Sequence, residues 1–299
     1  MKNSKIWFNG RFINWKEAKI HVLTHSLHYG SAVFEGIRCY KTKKGSAVFR
    51  LDEHIKRLFY SARVLGMEIY FSPKKIKEVI LKTIKINKLK ECYIRPIAFY
   101  GEKMGLNPQG ASVNLAIAVF PWKAYLGEKP IRVKISKYIR IHPKSTICDA
   151  KISGHYTNSI LATLETRKAG FDEALLLDFN GYLAEGPGEN IFIIKNNQIF
   201  TPLKGSILLG ITRNTVIKIA RDLGYKVTEK KIKPAELKFI DEAFFVGTGV
   251  EICPIIQIDK ILINKGKEGG VTKKIKETYK RIVKGEENKY LNWLTFIDQ

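Results

Sequence analysis

The chain has 299 residues, which is long enough for two folded domains, and its 45% hydrophobic and 27% charged content is typical of a soluble globular protein. Its formal net charge of +24 raises the rival interpretation of a basic nucleic-acid-binding protein. The basic residues are spread through the chain, however, without a long basic arm, a zinc-finger spacing or an RNA-recognition motif. We therefore expect a lysine-rich solvated surface and no nucleic-acid partner.

The sequence shows no targeting signal and no cysteine motif. The chain begins without the apolar run of a signal peptide and has no apolar stretch suited to a membrane helix, so we expect neither feature. The cysteines lie far apart in the sequence and show neither metal-ligand nor C-x-x-C spacing, which is typical of buried thiols in a reducing cytoplasm. We expect no metal site. The cysteines are Cys39, Cys92, Cys148 and Cys253.

Up to residue 125 the chain predicts strand pairs and helices. Asn9-Gly10 suits a two-residue turn with positive φ, and Ser72 followed by Pro73 marks the start of a helix. Apolar residues recur at helical spacing in some segments and alternate in others. We therefore predict a hairpin at 7–13, a strand pair at 35–49, a helix at 53–66, a helix after Ser72, and strands at Cys92–Tyr100 and Val113–Phe120.

Glycine and proline interrupt two apolar-rich regions at 126–130, which we expect to be a linker between a small domain at 1–125 and a larger domain at 131–299. The mixture of hairpins and helices indicates an α+β fold rather than a doubly wound parallel sheet. The elements predicted after the linker are a strand at 131–137, a helix at 158–169, hairpins turning at Asn180-Gly181 and Asn196-Asn197, a helix opening at Gly210, a strand at 242–246 and a lysine-rich C-terminal helix.

Lys151 is the most informative single residue. It lies among small residues, and Tyr156 follows five positions later. A lysine removed from bulk water loses its proton more readily, and the neutral amine is a nucleophile that forms a Schiff base with a carbonyl or with pyridoxal phosphate (PLP). The alternative is a lysine that serves solubility alone. The cofactor interpretation requires a carboxylate for the ring nitrogen and a cradle for the phosphate.

The chain offers candidates for both. Glu185 lies in a glycine- and proline-rich loop that is expected to be rigid, although an ordinary loop acid is the alternative. Ile211 and Thr212 begin a predicted helix, where free N–H groups favour an anion, and Thr248 lies between two glycines. Arg57 is a further candidate for a bidentate phosphate contact.

A guanidinium is also predicted beside an aromatic ring. Alternation along the strand at Cys92–Tyr100 places Tyr93 and Arg95 on one face. Arg95 is therefore a candidate anion contact, and its alternative is a residue at the rim of the sheet that points to water.

Taken together, these segments resemble the branched-chain amino acid aminotransferases, which are fold-type IV PLP enzymes. The matching segments follow the family order from Trp7 to about Thr272. Relatives commonly have proline in place of Leu209, asparagine in place of His155 and alanine in place of Gly249. The segments are 28–30, 33–40, 93–96, 120–122, 150–151, 185–190, 210–213 and 247–248.

The resemblance implies a two-domain fold like that of D-amino acid aminotransferase, with PLP at the domain interface and bound mainly by the larger domain. It implies reversible transamination of leucine, isoleucine and valine with 2-oxoglutarate, in a cytoplasmic enzyme of branched-chain amino-acid biosynthesis. A homodimer or higher homo-oligomer is implied as well. D-amino acid aminotransferases and aminodeoxychorismate lyases of the same fold are the nearest alternatives.

The resemblance also implies roles for individual residues. Lys151 would bind the cofactor covalently and move the substrate Cα proton, Tyr156 would bind the phenolic oxygen, and Glu185 the ring nitrogen. Leu208 would pack against the ring. The implied phosphate-binding residues are Arg57, Ile211, Thr212 and Thr248. The implied substrate-binding residues are Tyr29, Phe34, Gly36, Tyr93, Arg95, Trp122, Tyr125, Thr248 and Gly249.

Overall fold

The computed structural model describes residues 4–122, 126–127 and 129–297. Within them the chain divides into two compact units. The first unit comprises Met1–Trp122, Ala150–His155 and Arg281–Gln299, and the second comprises Lys123–Asp149 and Tyr156–Lys280. The sequence-based boundaries place 150–155 and 281–299 in the second domain instead. The difference arises because such long-range contacts leave no mark in local composition.

The helices and strands are as follows. In chain order the described strands are β1 (Lys5–Phe8), β2 (Arg11–Asn14), β3 (Ala32–Phe34), β4 (Ile37–Thr42), β5 (Gly45–Phe49), β6 (Cys92–Tyr100), β7 (Val113–Phe120), β8 (Ile131–Ile135), β9 (Glu173–Leu175), β10 (Asn190–Lys195), β11 (Gln198–Thr201), β12 (Val227–Glu229), β13 (Glu242–Gly247), β14 (Glu251–Ile258), β15 (Ile261–Leu262) and β16 (Leu294–Phe296). The described α-helices are α1 (His25–Tyr29), α2 (Leu51–Val64), α3 (Pro73–Ile86), α4 (Tyr156–Lys168), α5 (Ile211–Asp222) and α6 (Gly270–Val283). None of these helices is long and apolar enough to cross a membrane.

The first unit contains an antiparallel sheet with the order β16-β5-β4-β6-β7-β1-β2, and β3 pairs with β6 off this path. Its core forms because α2 and α3 carry apolar residues at helical spacing, such as Ile55 and Leu58 on α2 and Ile80 on α3. These side chains are buried together with strand residues such as Ile94. The sheet therefore holds β6, which bears the predicted anion contact, near its centre.

The second unit contains a mixed sheet with the order β12-β11-β10-β13-β14-β8-β9, and β15 pairs with β14. The pairs β11–β12, β14–β8 and β8–β9 are parallel, and the others are antiparallel. Its core includes Val133 of β8, Ile191 of β10 and Phe245 of β13. The ladder between β10 and β13 brings their ends together, with Asn190 opposite Val246.

Most predicted elements are confirmed. Asn9 (φ 45°) and Gly10 (φ 97°) form the predicted β1–β2 turn, and the Ser72 side chain accepts a hydrogen bond from Lys75 N at the start of α3. Around Asn180-Gly181 the chain turns back as predicted, although no regular strands are assigned there. Asp178 N donates to the Tyr182 carbonyl at 2.7 Å and Ala184 N to the Leu176 carbonyl at 3.0 Å, and residues 177 and 183 form an antiparallel bridge.

Candidate active site

Lys151 belongs to the first unit and is fixed there through its backbone. Its N–H donates to Ser61 Oγ at 2.9 Å, and its carbonyl accepts from Phe34 N at 3.2 Å. The next residue, Ile152, forms a bridge with Val33. Lys151 Nζ lies 4.9 Å from the centroid of the Phe34 ring. Lys151 is half-buried, and its amine thus lies against an aromatic face rather than on an open surface.

Two glycines allow this segment to lie close to the strand region. Gly154 N donates to the Gly30 carbonyl at 3.1 Å. Gly30 has φ 65°, and a Cβ there would lie 2.8 Å from Gly154 Cα. A larger residue at Gly30 would be strained and would also push the lysine segment away.

Aromatic rings and one guanidinium surround Phe34. The Arg95 guanidinium lies 4.8 Å from the Phe34 ring centroid and 5.4 Å from the Tyr93 centroid. Arg95 Nε is buried and has no hydrogen-bond partner within the described part of the chain. The Trp122 and Tyr93 ring centroids are 5.5 Å apart with the rings tilted by 36°, and a Cβ at Gly36 would overlap the Tyr93 hydroxyl. The aromatic rings and the guanidinium that were predicted to share one strand face therefore do lie together.

Another predicted substrate residue, Tyr29, makes a different set of contacts. Tyr29 is 39% exposed, its hydroxyl accepts a hydrogen bond from Gly105 N at 3.2 Å, and its ring packs against His25. It directly precedes Gly30, whose carbonyl holds the lysine segment. Tyr125 lies outside the described residues.

Arg57 is paired with a residue that the sequence reasoning gave no role. Both Glu35 carboxylate oxygens accept hydrogen bonds from Arg57, at 2.6 and 2.9 Å, and one also accepts from His54 Nδ1 at 2.7 Å. Burial opposes ionisation of Glu35, but the neighbouring Arg57 and His54 hold its pKa well below its usual value. An acid inside the apolar run around β3 and β4 is the signal that could have revealed this cluster.

His54 is neutral in this arrangement. Burial lowers its pKa, against the effect of the Glu35 charge, and the positive charges of Arg57 and Lys151 lower it further. An ionised carboxylate only accepts hydrogen bonds, so His54 Nδ1 is the donor. The contact is therefore a hydrogen bond rather than an ion pair.

Glu185 lies in the second unit and is anchored by several donors. Arg140 Nε donates to Oε1 at 2.7 Å and Asn190 Nδ2 donates to Oε2 at 3.0 Å. The Leu208 N–H reaches both oxygens, at 3.1 and 3.2 Å. The sequence reasoning assigned Glu185 but missed Arg140 and Asn190. A buried carboxylate with an arginine partner is suited to remain charged beside a cationic ring nitrogen.

The loop after Glu185 is held in place by hydrogen bonds from neighbouring residues. Ser159 Oγ donates to the Pro187 carbonyl at 2.7 Å, and Gly188 N donates to Glu189 Oε2 at 3.0 Å. A Cβ at Gly247 would lie 3.2 Å from the Gly188 carbonyl oxygen. This loop and the turn after β13 are therefore in close contact within the second unit.

The N-terminus of α5 adjoins the Glu185 cluster. The preceding residue, Gly210, offers no side-chain cap, and the first turn contains no acid. A Cβ at Gly210 would overlap the Asn190 side-chain oxygen. Ile211 and Thr212 are buried at this end, where the N–H groups and the helix dipole favour an anion.

Thr248 and Gly249 lie in the turn that joins β13 to β14 and are half-buried. Tyr156 is the first residue of α4 and is half-buried as well. The predicted residues thus fall into two groups. The first unit holds Tyr29, Phe34, Gly36, Arg57, Tyr93, Arg95, Trp122 and Lys151, and the second holds Tyr156, Glu185, Leu208, Ile211, Thr212, Thr248 and Gly249.

The family follows from comparison with known proteins. Residues 32–258 match the family model described as amino-transferase class IV, which is well over half of the chain. The chain belongs to this family, so the resemblance seen in the sequence is confirmed. The two sheets with their helices agree with the two-domain α+β fold of the class.

Individual relatives are similar over their full length. The branched-chain-amino-acid aminotransferase of Pseudomonas aeruginosa is 44% identical, covering 99% of this chain and 98% of that protein. The crystal structure of a branched-chain aminotransferase from Thermoproteus uzoniensis with norvaline has a TM-score of 0.95 at 43% identity, over 98% of this chain and 99% of that one. The crystal structure of the T.th. branched-chain amino acid aminotransferase complexed with N-(5'-phosphopyridoxyl)-L-glutamate has a TM-score of 0.95 at 42% identity, over 100% of both chains.

Proposed function

We propose that the chain catalyses reversible transamination of leucine, isoleucine and valine with 2-oxoglutarate, giving branched-chain 2-oxo acids and L-glutamate, with PLP as cofactor. One observation carries the proposal. The Lys151 amine and the Arg95 guanidinium lie against the same Phe34 ring, so a nucleophile, an apolar surface and a positive charge occur together. The relatives with bound norvaline and with a phosphopyridoxyl-glutamate adduct support this pairing of an aliphatic and an acidic substrate.

The residues present fit PLP. The first unit supplies an amine at Lys151, and the second supplies the anchored carboxylate of Glu185 and a helix N-terminus without an acid in its first turn. These are the donor types that an aldehyde, a protonated ring nitrogen and a phosphate require. Bound PLP supplies an aldehyde for the substrate amine and a pyridine ring that withdraws electrons from the substrate Cα.

The chain's own residues then have simple tasks. Lys151 Nζ takes the proton from the substrate Cα and returns a proton in the reverse direction. The carboxylate of Glu185 keeps the ring nitrogen protonated, because Arg140 and Asn190 hold it in one orientation. Phe34 and Tyr93 offer apolar surface to a branched side chain, and Arg95 offers a charge-assisted hydrogen bond to the distal carboxylate of glutamate.

A substrate panel tests the function. Purified protein with PLP and 2-oxoglutarate is offered L-leucine, L-isoleucine, L-valine, D-leucine and D-alanine, and glutamate formation is measured. We expect turnover with the L-branched amino acids, none with Lys151→Ala, and parent-like turnover with the exposed control Lys144→Ala. Preference for the D-amino acids would favour the D-amino acid aminotransferase alternative, and pyruvate release from aminodeoxychorismate would favour the lyase.

We further propose a homodimer or larger homo-oligomer in a cytoplasmic, biosynthetic setting. Helix α4 exposes Ile160, Leu161 and Leu164, an apolar face that a second copy of the chain would cover. The four buried cysteines are thiols, which suits a reducing compartment. Light scattering on the parent and on Leu164→Glu tests the first point, since the variant should dissociate. Cell fractionation tests the second.

A further inference from the structure

Glu35 is a buried carboxylate without a direct part in the chemistry above. It is 0% exposed, and both of its carboxylate oxygens accept hydrogen bonds. Oε1 accepts from Arg57 Nε, and Oε2 accepts from Arg57 Nη2, His54 Nδ1 and, at 3.2 Å, Gly36 N. Burying a carboxylate is unfavourable unless such donors compensate for the lost water. An apolar residue would fill the same space without needing these partners, so a further purpose is expected.

The purpose follows from the way Arg57 meets the carboxylate. Nε and one N–H of Nη2 form the edge of the guanidinium that contacts Glu35. The opposite edge, made of Nη1 and the second N–H of Nη2, is turned away from it, because the group is planar. The Arg57 side chain is 13% exposed, so it extends beyond the buried acid. Fixing one edge of a guanidinium fixes the direction of the other, as bidentate recognition of a phosphate requires.

The position of Arg57 on α2 is consistent with this purpose. His54, Arg57 and Ser61 are spaced by three and four residues, so they share one face of the helix. Ser61 Oγ accepts the hydrogen bond from Lys151 N. The helix face that carries Arg57 is therefore the face that holds the backbone of the catalytic lysine.

We propose that Glu35 is a positioning residue, which orients Arg57 so that the outer edge of its guanidinium binds the phosphate of PLP, and that His54 holds Glu35 in place. The inference rests on the proposed function, since the group bound must be PLP. Arg57 is the phosphate ligand in this scheme, and Glu35 acts only through it.

An alternative is that Glu35 acts through Lys151. The charges of both residues affect the pKa of His54, so both lie near that imidazole. If Glu35 supported the lysine, its loss would weaken binding of every aldehyde that reacts with Lys151. If it supports Arg57, its loss weakens only aldehydes that carry a phosphate. PLP and pyridoxal, which lacks the phosphate, distinguish the two cases.

The experiment measures the dissociation constants of PLP and pyridoxal for the apoenzyme by absorbance. For Glu35→Gln we expect PLP to bind about tenfold to a hundredfold more weakly, as for a lost charge-assisted hydrogen bond, and pyridoxal to change less than about threefold. Glu242→Gln is the matched control, because Glu242 is also buried and accepts bonds from Val271 N and Thr272 N in the second unit. It should leave the ratio of the two constants unchanged.

A double variant tests whether Arg57 mediates the effect. Arg57→Ala should lose much of the preference for PLP over pyridoxal, with the remainder supplied by the N-terminus of α5. Adding Glu35→Gln to this variant should change the ratio of the two dissociation constants by less than about a further threefold. Equal losses of PLP and pyridoxal binding in Glu35→Gln would overturn the proposal. The proposal would also be overturned if Glu35→Gln reduced the preference for PLP over pyridoxal as much in the Arg57→Ala variant as it does in the parent.

Thermal melting of the apoenzyme provides a readout that needs neither activity nor PLP. Inorganic phosphate should raise the melting temperature of the parent and raise that of Glu35→Gln less. If Glu35→Gln does not fold, Glu35→Asp takes its place, because it withdraws the carboxylate by one methylene while keeping the charge. A rise equal to the parent's overturns the inference.

The proposed function is tested separately by the parent. A parent that binds PLP no more tightly than pyridoxal overturns the proposed function and this inference together. A parent that prefers PLP, with a Glu35→Gln variant that keeps the full preference, overturns the inference alone.

Discussion

Replacement of Arg95 should separate the two substrate classes. In the structure its guanidinium lies against Phe34 and Tyr93, and its buried Nε has no hydrogen-bond partner within the described residues. An unsatisfied buried donor is unfavourable, and a substrate group that accepts its hydrogen bond removes this penalty. The distal carboxylate of glutamate or 2-oxoglutarate is such an acceptor, whereas the side chain of leucine is not.

The magnitude follows from one charge-assisted hydrogen bond, worth about 1.5–3 kcal/mol, which corresponds to about a tenfold to hundredfold change in affinity. Arg95→Ala should weaken glutamate and 2-oxoglutarate by this amount and leave the branched-chain half-reaction much less affected. Leucine binds through apolar area removed from water, at about 25 cal/mol per Å², and a nearby charge adds nothing to that.

Single-turnover kinetics of each half-reaction provide the assay. Arg95→Met is the informative companion, since it keeps an apolar stem against Phe34 and Tyr93 and removes only the charge. Arg132→Ala controls for loss of any arginine, because Arg132 is exposed in the second unit and also contacts an aromatic ring. Losses of equal size for leucine and glutamate would make Arg95 a structural residue and refute the reasoning.

Three other predictions concern the rest of the molecule. Gly210→Ala should displace the Asn190 amide from the anchored carboxylate and weaken PLP binding about tenfold or more, as measured by absorbance titration, and unchanged binding would contradict the overlap seen here. Burial raises the pKa of Glu173, so the stability that this group confers is complete below its ordinary pKa of 4.5 and falls as pH rises through the higher folded-state pKa. In urea unfolding, the free energy of unfolding of Glu173→Gln should therefore increase relative to that of the parent from about pH 5 to 8. A constant difference between the two proteins would contradict this prediction. Cys39 and Cys92 lie opposite each other on β4 and β6, and the neighbouring Cys39 thiol, together with burial, raises the pKa of the Cys92 thiol. Neither should react with Ellman's reagent until urea is added, and rapid labelling of the native protein would show that they are accessible.

Much of the local structure was accessible from the sequence because its signals are local. The Asn9-Gly10 turn, the Ser72 cap and the alternation in β6 each depend on a few neighbouring residues, and all three are found. Strand β14 was not predicted. It contains Pro254, which lacks an N–H, yet pairing with β8 begins only at Ile255, so the missing donor is tolerated.

The contacts that complete the site were not accessible in this way. The pairing of Glu35 with Arg57 spans 22 residues, and that of Arg140 with Glu185 spans 45. No periodicity links such positions, so a sequence pattern identifies the acid or the base without its partner. The same holds for Cys39 and Cys92, which are distant in the chain and opposite in the sheet.

The buried pairs Glu35–Arg57 and Glu185–Arg140 are both carboxylate–guanidinium pairs, but a different member of each pair is proposed to contact the ligand. In the first unit Glu35 is fully buried and the Arg57 side chain is 13% exposed, so in the proposed scheme the carboxylate is the anchor and the guanidinium binds the ligand. In the second unit Arg140 also donates to Asn158 at 3.4 Å, so in the same scheme the arginine is the anchor and Glu185 binds the ligand. Each pair is nearly neutral as a whole, and removing the anchoring residue would leave the charge of its partner uncompensated. The many lysines behind the net charge of +24 are different, because exposed ion pairs contribute little. The proposed function therefore depends on a few paired charges rather than on the overall charge of the chain.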